Sequence, residues 1–464
     1  MFSSPTYTVL GPDPTNRKCR INCYAFQQDA IISFQGWQYA AFYSPLGEDT
    51  LEPVYVHLAR RQLGLKTPPS VSSGDGDWEV LVFLDYPQTV DDGHNTVQIG
   101  ISPGDGTIHL SYDHHCDVLR YRYSCRNLAL KPTEFSWTSS NFTTTLDYLP
   151  GLPASHKPFH YVTYPRFCAA DSDLLFTLRD GKAGLGNDHL YIYSSASGHY
   201  SYIGQHLTGI QSNPYIHGLS YRAGNLHLTW VYRGFVHYDG WDDLADTKHK
   251  QQAGPNGAEN NHDLCYCYSD DLGKTWKNGQ GKVIASGDLG TNTVDNNSEG
   301  IVAFRIPKGL RLTNQESQVA DLDGGVHVLN RNSVPVGPGS SDGTITHWKH
   351  YYKAPGDSGN WTERALRPVY GSTRGRLAVG KTGDLFIILP DGEKGHMYIE
   401  RVTKSSGYTA REALWFREGL WGEPLVDQAR LENDNILSLM VLAGTEVLGQ
   451  PPRNRNVVVL DFKL

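Results

Sequence analysis

One phrase recurs seven times in this 464-residue chain: a polar or glycine turn, then an apolar run of strand-forming residues ending in polar ones. It reads QGWQYAAFY (35–43), GDGTIHLSY (104–112), DSDLLFTLR (171–179), RAGNLHLTW (222–230), LDGGVHVLN (322–330), KTGDLFIIL (381–389) and ENDNILSLM (432–440). Aligned on Tyr39, Ile108, Leu174, Leu226, Val326, Leu385 and Ile436, the copies lie 69, 66, 52, 100, 59 and 51 residues apart. A four-stranded blade takes roughly 40–50 residues, and longer intervals imply loops. Each copy follows another strand-like run, so the unit is a hairpin with further strands in the interval. The pattern predicts an all-β chain, a seven-bladed β-propeller, with residues 1–464 as one domain. The run NVVVLDFKL (456–464) is a ready strand to pair with the first blade and close the ring, which would remove exposed sheet edges. Helix-period segments are scarce, the best being a short one around Glu412 to Phe416.

Composition agrees: 48 glycines, 25 prolines and 11% aromatics suit a turn-rich β protein. A net charge of −8 argues against a nucleic-acid partner, though a local cationic cleft can still take an anionic small substrate. No run approaches the roughly 20 apolar residues of a membrane span. The opening MFSSPTYTVLGPDPT lacks the basic flank and apolar stretch of a signal peptide. A cytoplasmic protein and a mature extracellular form without its leader both fit, and the extracellular form is the expectation. Seven cysteines leave at least one unpaired, and their spacing is no small-domain disulfide framework. The three Asn-X-Ser/Thr sequons are about what chance gives.

The second repeat carries the chemistry. From His94 to Ser124 the chain reads as a strand (96–102), a turn at Gly104-Asp105-Gly106 and a returning strand (107–112). The outer ends of an antiparallel hairpin share one edge, so His94 and His114, with His115 alongside, are expected to be neighbours. The corresponding ends of the next hairpins bring Tyr164, Arg166 and Arg179, then Tyr215, His217, Tyr232 and Arg233, then Ser298, Glu299, Asn330 and Arg331. Singly, each reads as an ordinary surface or rim residue. Together they are a set rich in His, Tyr and Arg and poor in carboxylates.

Glycoside hydrolysis usually needs two carboxyl groups, which this set does not supply. β-Elimination at a uronic acid needs a cation to neutralise the carboxylate, a base for the C5 proton and an acid for the leaving O4. Arginine binds carboxylate through a planar fork and keeps its charge. With a pKa near 6.5, roughly three quarters of a histidine is neutral at pH 7 and able to act as base. Tyrosine can donate or accept when a nearby cation lowers its pKa. The scheme requires no cofactor, and a structural calcium or zinc ion is compatible with it.

The stretches GDGTIHLSYDHH, VTYPRF, LLFTLRDGKAGLGNDHLYIY, LHLTWVYRG and NHDLCYCYSDDLGKTW resemble the BNR-repeat propeller lyases, which include ulvan lyases and the fungal rhamnose–glucuronate lyases acting on gum arabic-type side chains. The resemblance is good over roughly residues 90 to 280. It implies catalytic roles for His94, His114, Tyr164 and Arg179, while the shared edge of the hairpins makes Arg166, His217, Tyr232, Arg233 and Arg331 the expected substrate contacts. It also implies an anionic polysaccharide or oligosaccharide substrate, the rhamnose–glucuronate variety being the nearer in general likeness; a monomer is expected.

Other signals compete. SDDLGKTW (269–276) is a full Asp-box, specific for fold and nearly silent on function. Phe304-Arg305-Ile306-Pro307 is similar to a sialidase motif whose arginine holds a carboxylate, but it follows the Asp-box instead of preceding several. A sialidase-like hydrolase and a carbohydrate-binding propeller therefore stand as alternatives. Cys265-x-Cys267 with His237, His249 and His262 could form a zinc site, or be two core cysteines. The glycines from 181 to 186 lack the following helix that a nucleotide loop needs.

Overall fold

The computed structural model describes residues 4–24, 26–47, 53–64, 75–243, 245–246, 256–286, 293–335, 344–356, 359–444 and 454–464. The fold is a seven-bladed β-propeller. Each of the seven phrases forms the second strand of its own sheet: Trp37–Pro45, Ile108–Tyr112, Asp173–Asp180, Asn225–Gly234, Val326–Pro335, Leu385–Asp391 and Ile436–Ala443. These strands are nearly continuous buried runs, as in Trp37–Pro45, where eight of nine residues are buried. The turns before them explain the polar start of the phrase. Gln35–Gly36 and Ala223–Gly224 both have positive φ at the two central positions, the type I′ geometry that matches strand twist.

Contacts divide the chain into two compact units. The first holds residues 1–176, 192–201 and 371–464, the second 177–191 and 202–370. In the first unit, Ala40 and Phe42 of the first sheet share a core with Trp421, Leu425, Met440 and Val457 of the seventh. The sequence places the strand 456–463 against the first sheet, and the structure does not. The strand lies inside the seventh, between Ile436–Ala443 and the N-terminal strand Thr6–Pro12, with Thr6 paired to Asp461. The N-terminal strand, not the C-terminal one, crosses over. Behind this junction lies a buried polar lock: Arg61 and Arg430 both bond Asp461 (2.7 and 2.9 Å) and Gln38.

The expected helix at 412–416 is instead part of the strand Arg411–Glu418. The one α-helix among the described residues is Gln428–Asp434, capped by Asp427, whose side chain accepts from the Arg430 N–H. In the second unit the Asp-box folds as its residue types require. Ser269 Oγ bonds Asp271 and the Gly273 N–H, Asp271 accepts from Thr275, and Trp276 is buried beneath.

Candidate active site

In the first unit, the end of the second sheet gathers the histidines, with a register that differs from the expected one. Val97 pairs with Tyr112, so counting outward sets His94 against His115, not His114. Asp113 then takes a left-handed backbone (φ 58°) and ends the strand alternation. Its buried carboxylate accepts from Tyr86, Thr89 and Asn95 (2.8 Å each), tying the loop before the sheet to the strand end. Beyond it, Cys116 N–H donates to Thr163 Oγ1 (2.7 Å) and Asp117 bridges Val162, which docks the His115 segment beside Tyr164.

The result is a cluster around Asp92. His94 Nδ1 lies 2.6 Å from one carboxylate oxygen and His115 Nδ1 2.5 Å from the other, and the two rings stack with centroids 3.9 Å apart. Burial raises the Asp92 pKa, but the hydrogen bonds from His115 and His94 outweigh it and hold the carboxylate well below its usual range. An ionised Asp92 fixes Nδ1–H on both rings and leaves Nε2 as the basic nitrogen. His94 is the more open of the two, with 19% of its side chain exposed against 8% for His115.

His114 is turned the other way. It is 1% exposed, its Nε2 accepts the Arg120 backbone N–H (2.6 Å), and burial, with Arg120 adding to it, pushes its pKa well down. The expected His94–His114 pair is thus corrected to His94–His115, because the Val97–Tyr112 register sets His115 opposite His94.

Phe26 stacks on His94 (4.6 Å, 19°), and Tyr164 sits 5.3 Å from Phe26 and 5.7 Å from His94. Tyr164 has φ 57°, uncommon for a bulky residue and of the kind that clusters at functional sites. The Arg374 guanidinium lies over Phe26 (4.9 Å) and is held by Glu423 (3.3 Å). Arg166 donates to Gln28 Oε1 and Arg376 to the Gln28 carbonyl, 2.8 Å each. Burial lifts the neighbouring Asp29 to about 6, against the pull of Arg376 and Arg166.

In the second unit, Arg179 and Arg233 both approach the ring of Tyr215, at 5.9 and 4.6 Å, and Asn261 accepts from Arg233 Nε (2.8 Å). Three expected contact residues are engaged or buried within the protein. His217 uses both ring nitrogens, Nδ1 on the Glu316 N–H and Nε2 on Asn330. Arg331 is ion-paired with the fully buried Glu316 (3.1 Å) and stacked on Trp348. Tyr232 is a core aromatic whose hydroxyl pKa burial pushes well up. Ser298 and Glu299 do not lead into the fifth sheet, which begins at Ser317. Ser298 bonds Asp295, and the exposed Glu299 pairs with Lys282.

Residues 37–368, well over half of the sequence, match the BNR repeat-containing family. The chain belongs to that family. Among solved structures, this BNR-repeat protein resembles polysaccharide lyase Uly1 (18% identical, TM-score 0.68, covering 96% of this chain and 90% of that one). It also resembles a PL25 ulvan lyase bound to -[GlcA(1-4)Rha3S]- (13%, TM-score 0.60, covering 97% and 95%). At these identities the likeness speaks to fold. An ulvan lyase, long isoform, from Glaciecola sp. (strain KUL10) is 29% identical over 130 residues, which is 23% of this chain and 12% of that protein's length.

The competing motifs of this BNR-repeat chain find structural uses. Arg305 is 77% exposed and paired with Asp263 at 2.8 Å, unlike an arginine built into a carboxylate pocket. Cys265 and Cys267 are fully buried on the strand Asn261–Ser269, with burial pushing both thiols well up, so they read as core residues. His249 lies outside the described residues. The glycines before 187 lead into the strand Asp188–Ser194, not a helix. Sequence reasoning missed Asp92, Phe26 and Arg374. Counting register from the turn points to His115, and the Asp-x-His spacing points to Asp92, whereas Phe26 and Arg374 reach the cluster from distant sequence.

Proposed function

We propose that this protein is a polysaccharide lyase that cleaves the bond to O4 of a glucuronic acid by β-elimination, leaving a C4=C5 unsaturated uronate. The observation that carries this reading is the His94/His115 pair, held by Nδ1 on one carboxylate beside the Tyr164 ring. An Nε2 of the pair, with His94 the more open, takes the C5 proton. The C5–H electrons become the C4=C5 bond, the C4–O4 bond breaks, and the Tyr164 hydroxyl returns a proton to O4. Exchange with water restores both groups. Arg179 is kept as the carboxylate neutraliser on the family likeness of its motif. A hydrolase with two catalytic carboxyl groups fits less well, since the carboxylate of the histidine cluster, Asp92, is engaged by both histidines.

The substrate we favour is a rhamnosyl-glucuronate end of an arabinogalactan or gum arabic side chain, with ulvan fitting about as well. The glucuronate and rhamnose units bound by the PL25 structure support that sugar pair as the class. The protein would act outside the cell, as a monomer, with no cofactor in the chemical step. Incubation with gum arabic and, separately, ulvan should raise the ultraviolet absorbance of a conjugated uronate with at least one of them. Arg179→Ala should lower that rate by about 10²–10³. Released sugar without absorbance would point to hydrolysis, and binding without turnover to a carbohydrate-binding protein. Either result overturns the proposal.

A further inference from the structure

The Asp92 cluster has a second chemistry that the elimination scheme does not use. His94 Nδ1, His115 Nδ1 and the Asp92 carboxylate are mutually close, with potential ligand atoms of the three residues all within 4.8 Å of one another. Among the described residues this is the one group of three or more His, Cys, Asp or Glu side chains so arranged. Tetrahedral zinc holds nitrogen and oxygen at about 2.0–2.2 Å, which puts its ligand atoms roughly 3.3 Å apart. The observed 2.5–2.6 Å contacts would open by less than about 1 Å to admit the ion, a shift within reach of side-chain rotation. Two imidazoles and one carboxylate suit zinc, cobalt or nickel, whereas calcium and magnesium want oxygen ligands.

We infer that Asp92, His94 and His115 form a binding site for a zinc-class divalent cation, and that the ion switches the histidine pair off as a base. A neutral imidazole carries one proton. With the ion on Nδ1 that proton resides on Nε2, so the lone pair that would accept the C5 proton becomes an N–H donor. The exchange releases no imidazole proton, because the ion replaces Nδ1–H by tautomer shift. Binding rests on the geometry alone; the off-switch also rests on the lyase reading.

The test therefore begins without substrate. The full chain, stripped with a chelator, is titrated with zinc by calorimetry. One ion per chain is expected, weakened about 100-fold or more in His115→Ala and in Asp92→Asn, and unchanged in His262→Ala, which lies beside Cys265 and Cys267. If circular dichroism shows that a variant has not folded, His94→Gln takes its place. Cobalt should give tetrahedral visible bands without thiolate charge transfer. No zinc bound at about 0.1 mM free ion, binding that survives the ligand variants, or a thiolate band would each overturn the site. If zinc binds and the protein eliminates, zinc should inhibit and chelator should restore the rate. Zinc binding with an unchanged rate sinks the switch and leaves the site, and a chain that binds zinc but never eliminates fails only the lyase reading.

Discussion

Two histidine pairs in this molecule are each joined to one aspartate, in opposite ways. In the first unit, His94 and His115 bond Asp92 in parallel, one ring on each carboxylate oxygen, so both Nε2 atoms point away from the aspartate. In the second unit, His350, His327 and Asp321 are joined in series. His327 Nδ1 meets His350 Nε2 at 2.9 Å, and His327 Nε2 meets Asp321 at 3.3 Å. The series pair is 0–1% exposed, His327 stacks on Tyr352, and both nitrogens of this central ring are spent within the protein. Residue types are the same. What separates a candidate base from a core polar network is which nitrogen is engaged and whether the other can be reached.

The largest expected effect tests that difference in rate. His94→Ala and His115→Ala should each lower lyase turnover by about 10²–10⁴, the scale for losing a positioned base, as followed by uronate absorbance. His327→Ala should leave the rate per folded molecule within about threefold, because its network touches no proposed reacting group. A comparable loss in His327→Ala would erase the distinction.

Stability should show the reverse. His327→Ala removes one buried partner from each of Asp321 and His350 and should cost about 3 kcal/mol, read as a lower urea midpoint. His94→Ala, at a partly open position, should cost under about 1 kcal/mol.

Acid should act on the series network. Burial, followed for His350 by His327 and Arg364, lowers the pKa of both histidines in the folded state. Their contribution is therefore complete above the unfolded value of about 6.5 and is lost as pH falls below it. Burial opposes the charge of Asp321, but His327 and the backbone N–H groups of Gly325 and Asp323 hold it at about 2. Its contribution is present above the ordinary carboxylate value and disappears as pH approaches 2. Both run the same way, so the urea midpoint of the second unit should fall between about pH 7 and pH 5 in the native chain and less in His327→Ala. A flat profile would show that the network does not titrate on unfolding.

The smallest effect concerns His114. Its Nε2 already accepts a backbone N–H, so His114→Gln, which can keep an acceptor there, should change turnover less than tenfold. A loss matching that of His115→Ala would return the base role to the residue expected from sequence.

These contrasts show where sequence was readable. The seven strands were legible because a turn and a buried apolar run are local patterns, each written within about nine residues. The partner of 456–463 was not, because either neighbouring sheet offers an equivalent edge. The helix 428–434 was missed because it depends on the Asp427 cap more than on a long apolar stripe. At the site, hairpin geometry brought the strand ends together, but a register one residue short sets His114 where His115 stands opposite His94. The partners of His217 and Arg331 within the protein, Glu316 and Asn330, were not legible, because they meet these side chains only through tertiary folding.

The pairing of Thr6 with Asp461 joins two points separated by nearly the whole sequence. Contacts of such range form late, because the chain entropy lost in closing so long a loop is regained only once the intervening sheets are in place. The seventh sheet should thus be the rate-limiting seam of refolding. Deleting residues 6–12 should speed unfolding more than it slows the early collapse of the other six sheets.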